Sequence, residues 1–236
     1  MNILIIGGAS GLGKSTVELL ASNKMNNIWF TYFKNHENAS ILQQKYNNVV
    51  PICVDITISV EVDHICKMIH TMDLDVIVNS AYVGDPLSTH FHKIELNEFL
   101  SSFKSNLIPI IKITQTAIEV FKRKKFGKII NVLSSYVINT PPIGYSIYAA
   151  NKAYLHQLSK SWNKEYIKYN ITSNCLSPEF MDTGFSSIDD RIIEKMKFDH
   201  PLKRILTPDE VAVVIKFLID CSQQINGVNI PVNASN

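Results

Sequence analysis

The stretch Asn2-Ile3-Leu4-Ile5-Ile6-Gly7-Gly8-Ala9-Ser10-Gly11-Leu12-Gly13 joins a short apolar run directly to a glycine-rich loop. An apolar run that ends in glycines is typical of a strand buried on both faces of a parallel sheet. Residues 16–22 continue with helical spacing, so the loop joins a first strand to a first helix. Backbone N–H groups at such a helix start face outward and can hold a pyrophosphate. The spacing is GxxxGxG instead of GxGxxG, and an ordinary tight turn is the alternative interpretation.

The same alternation of strand and helix patterns continues along the whole chain. A parallel crossover usually contains a helix, so this order predicts a doubly wound parallel sheet of about seven strands with helices on both faces. We expect one domain, residues 1–236, of α/β Rossmann type. The predicted strands are residues 3–6, 28–33, 49–54, 76–78, 128–133, 171–176 and 228–232, and the predicted helices are residues 16–22, 39–46, 60–72, 98–121, 149–169 and 209–221.

Composition narrows the classes of partner. The chain has 236 residues, 46% hydrophobic and 19% charged, and a net charge of +2, which gives no reason to expect nucleic acid. No apolar stretch approaches the roughly 18 residues of a membrane span, and the N-terminal run is too short for a signal-peptide core. The four cysteines are isolated from one another, with no CxxC pair for a metal. We expect a cytoplasmic protein without a membrane or metal partner.

The end of the second predicted strand bears on the choice of dinucleotide. An acidic residue at this place binds the free 2′-hydroxyl of NAD and repels the 2′-phosphate of NADP. Here the sequence is Thr31-Tyr32-Phe33-Lys34-Asn35, with no acid before Glu37. This favours NADP (NADPH) over NAD, with Ser10 and Lys14 as further phosphate contacts. A lysine that only faces solvent is the alternative for Lys34.

Four polar residues are candidates for catalysis. Tyr148 and Lys152 are four residues apart and share one helical face. Ser135 lies thirteen residues before Tyr148, at the end of a predicted strand, and Asn106 lies in the long helix before that strand. Each residue alone is common in structural roles, but their order and spacing together indicate a catalytic tetrad.

With this tetrad and the glycine loop, the chain resembles the short-chain dehydrogenase/reductase family, in a compact form similar to the 3-oxoacyl-carrier-protein reductases. The resemblance covers nearly the whole chain and implies hydride transfer between a nicotinamide and a carbonyl carbon. Tyr148 would donate the proton to the carbonyl oxygen, and Ser135 would hold that oxygen. Lys152 would lower the pKa of the phenol and bind the nicotinamide ribose, and Asn106 would hold a water that links Lys152 to solvent.

The resemblance also implies a set of cofactor-binding residues. The glycine loop would line the pyrophosphate, Asp55 the adenine, Asn79 and Ala81 the ribose, and Thr183 the carboxamide. The full set is Gly7, Ser10, Gly11, Leu12, Gly13, Tyr32, Lys34, Asp55, Ile56, Asn79, Ala81, Tyr148, Lys152, Pro178 and Thr183.

The chain departs from the family pattern at several positions. Tyr82 stands where the family has glycine, and we expect it to reshape the pocket. Glu179 also replaces a glycine and could read a substrate hydroxyl or amine, with a solvent-facing carboxylate as the alternative. Phe126 and Tyr169 occupy two positions where carrier-protein reductases generally have basic residues, although Lys125 and Lys168 are adjacent. This disfavours an acyl carrier without excluding it.

These inferences predict an NADPH-preferring oxidoreductase that interconverts a ketone and a secondary alcohol in a small-molecule biosynthetic pathway. The alternative is a nucleotide sensor or interaction protein of the same fold with little turnover. The long helices suggest a homo-oligomer, a tetramer or a dimer. We expect an apolar substrate pocket formed by Tyr136, Ile143, Tyr145, Phe180 and Phe185, with polar contacts from Asp189, Asp190 and Arg191.

Overall fold

A computed structural model describes residues 1–181, 183 and 189–234. Its centre is one sheet of seven strands in the order β3-β2-β1-β4-β5-β6-β7, and every pair of neighbouring strands is parallel. The predicted doubly wound sheet is therefore confirmed. The strands are β1 Asn2–Ile6, β2 Asn27–Tyr32, β3 Val49–Cys53, β4 Val76–Asn79, β5 Gly127–Val132, β6 Ile171–Pro178 and β7 Asn229–Val232.

Helices connect the strands. They are α1 Gly11–Ala21, α2 His36–Lys45, α3 Ser59–Ile69, α4 Leu96–Asn106, α5 Ile108–Lys124, α6 Ser146–Tyr166, α7 Asp190–Asp199 and α8 Pro208–Asp220. Short 3-10 turns lie at Phe91–Lys93, Ser135–Val137 and Ile167–Tyr169. Within the described part of the chain, no helix is long and apolar enough to cross a membrane.

Two helix predictions need correction. The predicted helix 98–121 is two helices, α4 and α5, which meet at Leu107. Pro109 lies in the first turn of α5, where its missing N–H is tolerated but where it cannot continue a preceding helix. The sequence pattern also missed α7, because Ile193 is its one buried residue among those described.

The hydrophobic core forms two layers, one on each face of the sheet. Along β1, Ile3 and Ile5 pack with α1, α2 and α8, whereas Leu4 and Ile6 pack with α3, α5 and α6. This period of two, with both faces covered, explains why β1 is an unbroken apolar run. Each such buried side chain contributes roughly 1.5–3 kcal/mol to folding by leaving water.

The strand order reverses direction at β1. From β1 the chain moves to β2 on one side, and it later returns to β4 on the other side. In open parallel sheets this reversal leaves a crevice beyond the carboxyl ends of the strands. The loops after β1, β4, β5 and β6 all meet at this edge.

Candidate active site

A cavity of about 930 Å³ occupies this crevice. Residues from the glycine loop line its middle, Lys14 and Lys34 line the side near β2, and Tyr148 and Lys152 line the side near β5. The sequence-predicted residues that line it are Gly7, Ser10, Gly11, Leu12, Gly13, Lys34, Ala81, Tyr148, Lys152, Pro178 and Thr183.

The glycine loop has the shape that a pyrophosphate needs. Gly7 has a φ of +86°, and a Cβ there would lie 2.9 Å from the Ala81 Cα. A Cβ at Gly13 would collide with the carbonyl oxygen of Gly7. Ser10 makes no side-chain cap to α1, and the first turn of α1 carries no acid. The loop therefore offers backbone N–H groups at a helix start without a competing anion, so the site fits a dinucleotide.

The side of the cavity near β2 is polar and basic. Lys14 Nζ donates to Asn38 Oδ1 at 3.3 Å. Asn35 and Asn38 line the cavity beside Lys34, and no described residue that lines this side has a carboxylate. Sequence reasoning missed both asparagines; their position at the start of α2, next to the end of β2, was the available signal.

Tyr148 and Lys152 lie one turn apart on α6, as the spacing predicts. Lys152 Nζ donates to the carbonyl oxygen of Val132, the last residue of β5, at 2.8 Å. This contact ties α6 to the strand end. The ammonium lies 5.7 Å from the centroid of the Tyr148 ring.

The described cavity lining contains Ser134 and not the predicted Ser135. Ser134 lines the cavity and hydrogen-bonds to the Tyr148 side chain. Ser135 begins the 3-10 turn, is buried, and is absent from the described cavity lining. The spacing from Tyr148 pointed to Ser135, but the position of the cavity serine is set by the end of β5 and not by the length of the loop that follows. Leu133 N still donates to Leu176 O at 2.8 Å, so Ser134 is the first residue beyond the ladder.

Burial shifts the pKa values of Tyr148 and Lys152. It raises the pKa of the Tyr148 phenol well above its usual value, and the hydrogen bond from Ser134 opposes this only in part. Burial lowers the pKa of the Lys152 ammonium to about 8. Desolvation is the largest influence on both pKa values, and the expectation that Lys152 lowers the phenol pKa stays a prediction. Tyr148 remains a protonated donor at neutral pH.

Asn106 holds the loop after β4 in place. It is the last residue of α4, and its Oδ1 accepts from Val83 N at 2.6 Å. Its Nδ2 donates to Val83 O at 3.2 Å and to Ser102 O at 3.1 Å. The amide thus fixes the loop after β4 to α4, and its predicted contact with a water stays a prediction.

The Asn79 side chain is bound inside the fold, and Asn79 is absent from the described cavity lining, so its predicted ribose contact stays a prediction. Its Nδ2 donates to Thr114 Oγ1 at 3.2 Å and to Asn131 Oδ1 at 2.8 Å, which places the amide between β4, β5 and α5. Its position favours a bracing role over contact with a ribose.

Asp55, Ile56 and Tyr32 also lie outside the described cavity lining. The Asp55 carboxylate accepts from Thr57 N at 2.9 Å and from Thr57 Oγ1 at 2.7 Å, in the turn before α3. Asp55 and Ile56 follow β3 at the same end of the sheet as the cavity, and their predicted adenine contact stays a prediction.

A group of aromatic rings surrounds Tyr148. The Tyr82 ring meets the Tyr148 ring edge-on at 4.8 Å, and the Tyr136 and Tyr145 rings lie 5.1 Å apart. These tyrosines and Phe180 line the cavity, as predicted for a substrate pocket, except that Tyr82 was expected only to reshape it. Ile143 is 75% exposed and does not line the cavity, and the predicted Phe185 lies outside the described residues.

Glu179 also lines the cavity, and its carboxylate is paired. Oε1 lies 2.8 Å from His200 Nε2, and both side chains are nearly buried. His200 Nδ1 accepts from Leu202 N at 3.1 Å, so Nε2 carries the proton and donates to Glu179.

The polar substrate contacts expected from Asp189, Asp190 and Arg191 lie elsewhere. Asp189 and Arg191 pair with each other at 2.8 Å and, like Asp190, are exposed outside the cavity. Among the described residues, no cluster of side chains suits a metal ion.

Known proteins resemble this chain over nearly its whole length. A family model described as enoyl-(acyl carrier protein) reductase matches residues 7–234. The 3-oxoacyl-[acyl-carrier-protein] reductase FabG of Chlamydia trachomatis is 30% identical over 233 residues, 95% of this chain and 92% of that protein. A short-chain dehydrogenase from Burkholderia cenocepacia, solved in complex with NADP, has a TM-score of 0.86 at 21% identity, covering 98% of this chain and 96% of that one. YwfH, an NADPH-dependent reductase involved in bacilysin biosynthesis, has a TM-score of 0.88 at 20% identity, covering 99% and 96%.

The fold and the site define an oxidoreductase that acts on a carbonyl or an alcohol. The chain belongs to the short-chain dehydrogenase/reductase family.

Proposed function

We propose that this protein reduces a ketone on a small molecule to a secondary alcohol, with NADPH as the preferred cofactor. One observation carries the proposal: Ser134, Tyr148 and Lys152 meet at one side of a cavity whose middle is a glycine loop built for a pyrophosphate. A proton donor, an oxygen ligand and a buried cation are the groups that carbonyl reduction requires.

Each residue of the site has its own role in the proposed reaction. NADPH, when bound, supplies the hydride to the carbonyl carbon. Ser134 Oγ and the Tyr148 phenol hold the carbonyl oxygen, where negative charge develops, and Tyr148 transfers its proton to that oxygen. The Lys152 ammonium stabilises the phenolate that remains and would hold the nicotinamide ribose. The glycine loop would hold the pyrophosphate, and Thr183, beside Gly11, the carboxamide end.

The preference for NADPH rests on the side of the cavity near β2. Lys14 and Lys34 bring two positive charges to a wall without a described carboxylate. A 2′-phosphate finds charge-assisted donors there, whereas the 2′-hydroxyl of NADH finds no acid. The Burkholderia relative binds NADP and the bacilysin enzyme depends on NADPH, which is consistent with this preference.

The aromatic wall supports a free small-molecule substrate. Tyr82, Tyr136 and Tyr145 present flat, largely apolar surfaces next to Tyr148. The basic residues Lys125 and Lys168 lie before β5 and β6 begin, at the opposite sheet edge from the cavity. A carrier protein that docks on these lysines would therefore not face this chain's own cavity. This favours a free ketone over the carrier-bound substrate named for the relatives.

The subunit is proposed to form a homo-oligomer in the cytoplasm, a dimer or a tetramer. Apolar side chains remain exposed on α4, where Leu96 is 80% and Leu100 58% exposed. Val213 and Phe217 are similarly exposed on α8. Burying such faces against a second copy would remove them from water. Light scattering at micromolar concentration should show a mass above that of one chain, and a monomer would contradict the proposal.

The test of the proposed function compares binding with turnover. Purified protein should bind NADPH more tightly than NADH and should oxidise it in the presence of a ketone from a panel of cyclic ketones, sugars and acyl thioesters. Turnover restricted to carrier-bound thioesters would refute the small-molecule proposal. NADPH binding without turnover on any class would favour the sensor alternative.

A further inference from the structure

Lys152 is a buried cation without a carboxylate partner. Its side chain is 6% exposed, and among the ion pairs of the described residues none involves it. One neutral carbonyl, that of Val132, accepts from its Nζ. Burying a charge without a counter-ion disfavours the charged form strongly, so something else must stabilise the ammonium.

Two aromatic rings flank the ammonium. Lys152 Nζ lies 5.5 Å from the centroid of the Tyr82 ring and 5.7 Å from that of Tyr148. A cation within about 6 Å of a ring face is attracted by the ring quadrupole, and most strongly when water is excluded. The Tyr148 ring belongs to the catalytic centre, whereas the Tyr82 ring is additional.

The Tyr82 ring is held in place by a polar network. Its hydroxyl lies 3.4 Å from Ser102 Oγ, which also accepts from Asn151 Nδ2 at 2.8 Å. Asn106 Nδ2 donates to the carbonyl oxygen of the same Ser102 at 3.1 Å. Three residues of α4 and α6 thus fix the orientation of one ring.

Tyr82 also borders two cavities. It lines the main cavity and a second cavity of about 350 Å³, whose wall includes Ser101, Ser102 and Ser105. Tyr148 borders both cavities as well, whereas Lys152 is in the described lining of the main one alone. The two rings near the ammonium therefore both lie where the cavities meet.

We propose that Tyr82 is a positioning residue that keeps the Lys152 ammonium charged and in place by covering it with an anchored aromatic face. This goes beyond the proposed function, which needs the charge of Lys152 but does not say what sustains it. The kinetic consequence rests on the proposed function; the titration of Lys152 does not.

Three titratable groups face Lys152, and none of them changes its charge in the pH range where Lys152 does. They are Tyr148 on α6, Tyr82 after β4 and Cys175 on β6. Burial raises the pKa of both phenols and that of the Cys175 thiol, the last to about 11, so all three remain neutral near pH 8. A change in the pKa of Lys152 is therefore readable without overlap.

The experiment that tests this proposal changes the charge distribution of the aromatic ring at position 82 and keeps the shape of the ring. Tyr82→Phe keeps the ring and removes the hydroxyl; fluorinated phenylalanine at the same position keeps the shape but weakens the negative ring face. The Lys152 pKa is read by NMR of lysines labelled at Cε, with Lys152→Met to assign its resonance. We expect the pKa to fall by about half to one unit on going from phenylalanine to the trifluorinated ring. An unchanged pKa across this pair overturns the proposal.

Kinetics give a second readout in the same pair. The alkaline limb of kcat/KM should move to lower pH by the same amount in the fluorinated variant, because this limb follows the Lys152 pKa whatever the affinity for the ketone. A uniform loss of activity without a shift of this limb would show a merely structural role and would also overturn the proposal. A wild-type protein without turnover contradicts the proposed function alone, since the NMR titration needs no substrate.

Discussion

Ser134→Ala tests whether the serine that lines the cavity, and not the Ser135 that the sequence spacing indicated, takes part in the reaction. Ser134 is 7% exposed, lines the cavity and hydrogen-bonds to Tyr148. In the proposed mechanism its hydroxyl holds the carbonyl oxygen, where negative charge develops. Loss of one such donor typically lowers kcat by about 10²–10³, or roughly 2.7–4 kcal/mol in the barrier. The substitution also removes the hydrogen bond that holds down the pKa of Tyr148, so both effects act in the same direction.

Ser135→Ala is the matched control. Ser135 is adjacent in sequence and equally buried, at 6% exposed, but it is absent from the described cavity lining. We expect its kcat to change less than about threefold, within the range of a lost neutral hydrogen bond. Steady-state kinetics at saturating NADPH, with NADPH affinity measured separately, would compare the two variants. A larger loss of kcat in Ser135→Ala than in Ser134→Ala would refute the geometric assignment.

Three further predictions follow from charged groups of the cavity. Lys34→Glu should weaken NADPH binding about tenfold to a hundredfold and leave NADH binding within about threefold, measured by calorimetric titration; equal losses for both nucleotides would remove Lys34 from phosphate recognition. The turnover rate should fall as pH rises through about 8, because the Lys152 ammonium is charged below its pKa and neutral above it; a rate that stays level to pH 10 would contradict this. Glu179→Gln and His200→Gln should show a coupling free energy of unfolding of about 1–3 kcal/mol in a double-mutant cycle by chemical denaturation, and additive effects would show that the pair does not stabilise the fold.

The fold could be predicted because its signals are local. Strands β1 and β4 are buried on both faces, and the resulting apolar run, such as residues 3–6, is visible in the sequence without help from tertiary contacts. The failures have physical causes as well. Pro109 divides a continuous apolar pattern into two helices, and α7 buries too little, through Ile193, for its period to stand out.

The site could be predicted where one element carries it. Tyr148 and Lys152 lie on one helix, so their spacing alone fixes their geometry. Ser134 was missed because the number of residues between β5 and Tyr148 does not show where the hydrogen bonds of β5 end. The Glu179–His200 pair joins positions 21 residues apart, and nothing in the local sequence of either residue signals the other.

The most direct test of the account is NADPH oxidation by Tyr148→Phe beside the wild-type protein, with a ketone that the wild type reduces. Phenylalanine keeps the ring contacts and removes the one proton that the mechanism uses. We expect NADPH affinity within about threefold of wild type and loss of nearly all turnover. A variant that binds NADPH normally and retains more than about a tenth of the wild-type rate would contradict the role of Tyr148 as proton donor.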